Sequence, residues 1–147
     1  MREIGRDGFM EKARLYLGKK PDLVMFRCQS GSVNMAKEGE PPMWQTYGLA
    51  RGASDLIGCL SVYPKVRNRE STQDISRDVC IFPVGRWLVI ELKAPSVKIH
   101  TKKLDERELD QKAFIDLIKK FGGWGGFANS IEDCERLYLE AGGAHRG

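Results

Sequence analysis

The stretch GRWLVIELKAP, residues 85–95, constrains this chain more than any other. Trp87, Leu88, Val89 and Ile90 are apolar enough to be buried, and Arg86–Lys93 reads as the strongest β-strand in the sequence. The run ends in Glu91 and Lys93, which alternation along a strand sets on one side, with Leu92 on the other. A buried or half-buried Glu and Lys two residues apart must be paired, hydrated or bound to something. The fold has to bury the strand and still provide for two charges at its end.

The rest of the chain supplies elements around that strand. Asp7–Leu17 reads as a helix, with Phe9, Met10, Ala13 and Leu17 at helical spacing and Gly18 as its stop. Asp7 and Glu11 are four apart and share one face of it. Leu23–Arg27 reads as a short strand and Asp55–Val62 as a second. Gln29–Tyr47 is rich in Gly, Ser, Pro and polar residues and reads as a loop. In it, Trp44 and Tyr47 read as anchors to the core, with base stacking as the functional alternative. Lys65–Asp78 is polar without a clean period and reads as an exposed connection, after which Val79–Pro83 extends a strand.

Asp105–Phe121 reads as an amphipathic helix whose apolar stripe is Leu109, Ala113, Phe114, Leu117, Ile118 and Phe121. Gly122 and Gly123 end it. Trp124–Asn129 then reads as a strand and Ile131–Ala141 as a helix, with Ser130 as N-cap and Asp133 as its third residue. The GGWGG run, residues 122–126, follows a helix instead of preceding one, so it reads as a turn and not as a phosphate-cradling loop. This order predicts a mixed α/β domain. A chain of 147 residues supports one core, so residues 1–147 are read as a single domain.

Composition excludes several chemistries. Cys28, Cys59, Cys80 and Cys134 are scattered without a CxxC, which argues against a zinc site or a disulfide framework and suits a reduced cytoplasm. Only His100 and His145 are available for histidine chemistry. No apolar run is long enough to span a membrane, and Met1–Gly8 lacks the apolar region of a secretory signal. The net charge of +4, from 24 Lys+Arg against 20 Asp+Glu, permits a polyanionic partner without demanding one.

The candidate chemistry comes from Asp55, which opens one apolar strand, together with Glu91 and Lys93 at the end of another. If those strands are neighbours, two carboxylates and an ammonium converge at one edge of the sheet. Carboxylates that close repel each other, and a divalent cation with a preference for oxygen relieves this. Magnesium keeps several waters, lowers the pKa of one and neutralises charge on a phosphate. A lysine alongside suits stabilisation of the charge that develops there. Alone, a Glu-x-Lys at a strand end also fits a solvated ion pair.

A resemblance extends this reading. YGLARGASDLIGCL, then WLVIELKAP, then LDQKAFIDLIKKFGG, then FANSIEDCERL resemble the VRR-NUC family of the PD-(D/E)xK nuclease superfamily. That family carries Gly-x-x-Asp at a strand start, a Glu-x-Lys strand and a Gln in the following helix, here Gly52 with Asp55, Glu91 with Lys93, and Gln111. The upstream GKKPDLVMFRCQSG resembles the phage-type members, and the likeness spans roughly Asp7–Leu137.

The resemblance implies a restriction-endonuclease-like fold and a Mg²⁺- or Mn²⁺-dependent endonuclease. Its metal ligands would be Asp55, Glu91 and the backbone carbonyl of Leu92, with Lys93 serving the attacking water and Gln111 lining the site. An additional acid from the first helix would be Asp7 or Glu11, and the spacing does not choose between them. Lys102, Lys103, Arg51 and Arg27, with Lys65, Arg67 and Arg69, would contact phosphates. The implied partners are branched DNA, four-way junctions foremost, and a second copy of the chain in a homodimer. The apolar faces of the first helix and of Ile131–Leu139 are candidates for the dimer surface. The implied setting is the cytoplasm of a bacterial cell or a phage-infected host. A flap or duplex nuclease, or a nucleic-acid-binding module without cleavage, are the alternatives.

Overall fold

The computed structural model describes residues 4–29, 31–50, 52–63, 82–99 and 104–143, with side chains described from Gly8 onward. The elements run α1 (Ile4–Leu17), β1 (Leu23–Arg27), β2 (Gly31–Asn34), β3 (Trp44–Tyr47), β4 (Leu56–Val62), β5 (Val84–Leu92), α2 (Glu106–Lys120), β6 (Trp124–Ala128) and α3 (Ile131–Glu140). Four strands form a mixed sheet in the order β1-β4-β5-β6. β1, β4 and β5 pair antiparallel, and β6 runs parallel to β5 after the α2 crossover.

Alternation divides the sheet into two faces. Leu56, Leu60, Leu88, Ile90 and Leu92 point to the face packed by α1 and α3, where they meet Leu17, Leu137 and Tyr138. Ile57 and Val89 point to the other face and pack against Ile115 of α2. Each such side chain contributes about 1.5–3 kcal/mol by leaving water, so β5 is held from both sides.

Burial of β5 is complete only from Leu88 onward. Trp87, read as part of the buried run, is 54% exposed. α2 is the helix packed on that face among the described residues, and it covers the end carrying Val89 and Glu91. An open apolar groove remains beyond it, lined by Phe26, Leu49, Ile57, Cys59 and Trp87.

Three other expectations are corrected. The segment 29–47 contains the β2–β3 hairpin, paired Gly31 with Tyr47 through Asn34 with Trp44. Its aromatics do not anchor it to the core, for Trp44 and Tyr47 are both exposed. Second, the apolar faces of α1 and α3 pack into the chain's own core through Phe9, Met10, Ala13, Cys134, Leu137 and Tyr138, so they are not a dimer surface. Third, the buried residues of α2 are Glu108, Gln111 and Ile115, while Leu109, Leu117 and Phe121 of the predicted stripe are exposed. The N-terminal half of this helix lies over the charged end of β5, where polar side chains have partners and leucines would not.

The helix ends follow their sequence signals closely. Asp105 is the N-cap of α2, one residue outside the helix. Ser130 caps α3 by accepting the Asp133 N–H at 3.1 Å. At the C-terminus of α2, Gly122 adopts φ +85°, and the N–H groups of Gly122 and Gly123 donate to Lys119 and Ile118. That conformation is open to glycine and strained for other residues.

Candidate active site

The site forms where β4 begins and β5 ends. Leu56 pairs with Ile90, so the next residues outward, Asp55 and Glu91, stand side by side on the face covered by α2. The pairing of β1 with β4 continues one step beyond the strands, with Cys28 N–H donating to the Asp55 carbonyl at 2.8 Å. On the other side, Lys93 N–H donates to the Ala128 carbonyl at 2.8 Å, extending the β5–β6 ladder.

Asp55 and Glu91 are held by each other's strands. The Asp55 N–H donates to Glu91 Oε2 at 3.3 Å, and Asp55 Oδ2 accepts the Leu92 N–H at 3.0 Å. The side chain of Asp55 thus receives a strand N–H where the backbone ladder between β4 and β5 has run out. In an extended strand the N–H and C=O of one residue point the same way, which sets the Leu92 carbonyl on the Asp55 side of β5.

α2 closes the site from above. Glu91 is 1% exposed and Gln111 is 4% exposed. Gln111 Nε2 donates to Glu91 Oε1, while Gln111 Oε1 accepts from Lys93 Nζ at 2.8 Å. One amide therefore joins an acid and a base by using its donor and its acceptor. Lys93 Nζ also lies 3.8 Å from Glu91 Oε1, 3.5 Å from Glu108 Oε1 and 5.2 Å from the centre of the Phe127 ring.

Gly52 sets how closely the Asp55 loop approaches α2. It has φ +78°, and a Cβ there would lie 2.6 Å from the backbone carbon and oxygen of Asp110. Beside it a cleft of about 820 Å³ runs between the β2–β3 hairpin and the first turns of α2, lined by Ser32, Tyr47, Gly52, Asp105, Arg107 and Gln111. This cleft opens the Gln111 side of the site to solvent.

The residues expected at the site fall into three groups. Asp55, Glu91, Leu92, Lys93 and Gln111 come together. Glu11 does not join them: it is exposed on α1, which packs against the opposite face of the sheet. Arg27 ends the edge strand β1 opposite Leu56, on the side of the sheet away from the two acids. Arg51, Lys65, Arg67, Arg69, Lys102, Lys103 and the Asp7 side chain lie outside the described residues, as does His100. Glu108 and Phe127 were missed. Glu108 left a signal, since Asp105-x-x-Glu108 is the spacing of a capping box.

Asp55 and Glu91 present hard oxygen donors on adjacent strands, with the Leu92 carbonyl on the Asp55 side of β5, and that set fits Mg²⁺ or Mn²⁺. Among the described residues no group of three His, Cys, Asp or Glu side chains is arranged to hold a metal. An ion here would draw its remaining ligands from the backbone, water or a phosphate.

The chain matches no family model, no curated protein and no solved structure in comparisons with each.

Proposed function

We propose that the chain is a metal-dependent endonuclease of the VRR-NUC kind, with a restriction-endonuclease-like fold. It would hydrolyse DNA phosphodiesters at the junction of β4, β5 and α2. One observation carries the reading: Asp55, Glu91, Lys93 and Gln111, drawn from three separate parts of the sequence, form one continuous hydrogen-bonded cluster. Two acids brought side by side at a buried strand end repel each other, and a divalent cation with a preference for oxygen relieves this. With the lysine and the amide they make a good site for binding a cation next to a phosphate.

Asp55, Glu91 and the Leu92 carbonyl would hold Mg²⁺ or Mn²⁺, which when bound neutralises phosphate charge and lowers the pKa of water. The side chains of the chain do the rest. Lys93 places a compact positive charge where negative charge grows on the phosphate oxygens. Gln111 fixes Lys93 and Glu91 relative to each other, so that neither has to be ordered during the reaction. Water adds to phosphorus and the bond to the 3′ oxygen breaks. The products are a 5′-phosphate and a 3′-hydroxyl that has taken a proton.

The preferred substrate in this reading is branched DNA, with two copies of the chain presenting two sites to a four-way junction across a two-fold axis. The test is cleavage of end-labelled four-way junction, flap, nicked and plain duplex DNA at low salt, in Mg²⁺ or Mn²⁺ and in chelator. Paired, symmetric nicks in the junction support a resolvase. Cutting of flaps or duplex keeps the nuclease and discards the resolvase. No cutting in either metal contradicts the proposal.

A further inference from the structure

The Lys93 ammonium has three donors, and among the described residues it has three acceptor-bearing neighbours: Gln111, Glu91 and Glu108. The first two belong to the cluster just described. Glu108 is different, because it does two separate things with its two oxygens. Oε2 accepts the Asp105 N–H at 3.1 Å, while Asp105 Oδ1 accepts the Glu108 N–H at 2.8 Å. This reciprocal pair closes the N-terminus of α2. Oε1 lies 3.5 Å from Lys93 Nζ.

A capping box on a surface helix needs only an acceptor at this position, and a solvated Glu or Gln serves equally. Here the residue is 8% exposed and faces the end of β5. Asp105, Glu108 and Gln111 follow at intervals of three along one side of α2, so cap, ion pair and amide bridge lie in one row. The row fixes the start of the helix and the head of Lys93 with the same carboxylate.

We infer that Glu108 is a positioning residue that holds Lys93 against Gln111, tying the orientation of the ammonium to the capped first turn of α2. The inference rests on the nuclease reading of this site for its effect on rate, but not for its effect on Lys93 itself. Without the Glu108 charge the lysine head keeps Gln111 and Glu91 and loses the neighbour that restrains it from the helix N-terminus.

Two variants separate the cap from the ion pair. Glu108→Gln keeps a carbonyl for the Asp105 N–H and replaces the carboxylate facing Lys93 by a neutral amide. Asp105→Ala removes one half of the box and leaves the Glu108 charge in place. For Glu108→Gln the expected result is a kcat about 10- to 100-fold lower, with KM within about twofold and an unchanged thermal midpoint. The order parameter of the Lys93 ε-methylene, read by ¹³C relaxation, should fall. For Asp105→Ala, which loosens the first turn but leaves the Glu108 charge in place, we expect a lower thermal midpoint and falls in Lys93 order and kcat that are smaller than those of Glu108→Gln. A Glu108→Gln protein with wild-type kcat and wild-type Lys93 order overturns the inference. If the wild-type protein cuts nothing, the nuclease reading fails, and the Lys93 order parameter alone decides whether Glu108 holds the lysine.

Discussion

The N–H of Asp55 donates to the Glu91 carboxylate, and the Asp55 carboxylate accepts the N–H of Leu92, the residue that follows Glu91. The acid on β5 is positioned by the loop before β4, and the acid before β4 is positioned by β5. Asp55→Asn keeps an acceptor for Leu92, so it should cost under about 1 kcal/mol of stability. Asp55→Ala leaves that N–H unpaired and should cost about 1–3 kcal/mol. Both should abolish cleavage. Urea unfolding alongside a cleavage assay checks this, and equal destabilisation by the two would remove the structural part of the argument.

Gly52→Ala should be among the most damaging small substitutions in the chain. The positive φ disfavours any side chain, and the added Cβ would press on the Asp110 backbone, which cannot swing aside as a side chain would. Strain and overpacking together predict a loss of about 2–4 kcal/mol. Gln111 is the next residue on α2, so surviving folded protein should also cut more slowly. Urea midpoints for Gly52→Ala against wild type measure the first effect directly.

Ser54 carries the opposite expectation. Its hydroxyl is fully buried and has no hydrogen-bond partner among the described residues. Removing an unpaired buried hydroxyl relieves a desolvation cost of about 1 kcal/mol or more. Ser54→Ala should therefore melt at or above the wild-type temperature and retain cleavage. A clear drop in melting temperature would show that the hydroxyl is satisfied in solution.

Burial raises the Cys134 thiol from its ordinary 9.0 to about 12, and Asp133 and Glu132 push in the same direction. Below pH 9 the thiol is neutral in both folded and unfolded chains. Between 9 and about 12 the unfolded chain gives up this proton while the folded chain keeps it, so stability falls as pH rises through that window. The urea midpoint should decline more steeply from pH 9 to 11 in wild type than in Cys134→Ala. At pH 8 a thiol reagent should modify the exposed Cys59 in the native protein and reach Cys134 only on unfolding.

Much of the frame was legible because strong local signals wrote it. The apolar runs at Leu56–Val62 and Leu88–Leu92, the cap at Ser130 and the stop at Gly122 each act within a few residues. Asp55, Glu91, Lys93 and Gln111 are each legible from residue type and position along the chain, and the structure brings them together.

What was misread depended on partners distant in sequence. Periodicity assigned Leu109, Leu117 and Phe121 to the inner side of α2, yet that side carries Glu108 and Gln111 because the sheet end beneath it is charged. A hydrophobic pattern cannot register a face whose interior is partly polar. The β2–β3 hairpin was hidden for a related reason, since its strands are almost wholly exposed and lack alternation to read. Trp87 looked buried because four apolar residues in a row do not say where the covering helix stops.

The most direct test of the account is cleavage by wild-type protein and by Lys93→Met, with Mg²⁺ or Mn²⁺, on the same labelled DNA whose binding is measured in parallel. The substitution keeps most of the aliphatic stem and removes the charge, with Asp55 and Glu91 themselves retained. The account predicts that wild type cuts, that Lys93→Met binds the DNA within a few-fold of wild type, and that it does not cut. A Lys93→Met protein that cuts at the wild-type rate, or a wild-type protein that binds DNA and cuts nothing in either metal, would contradict it.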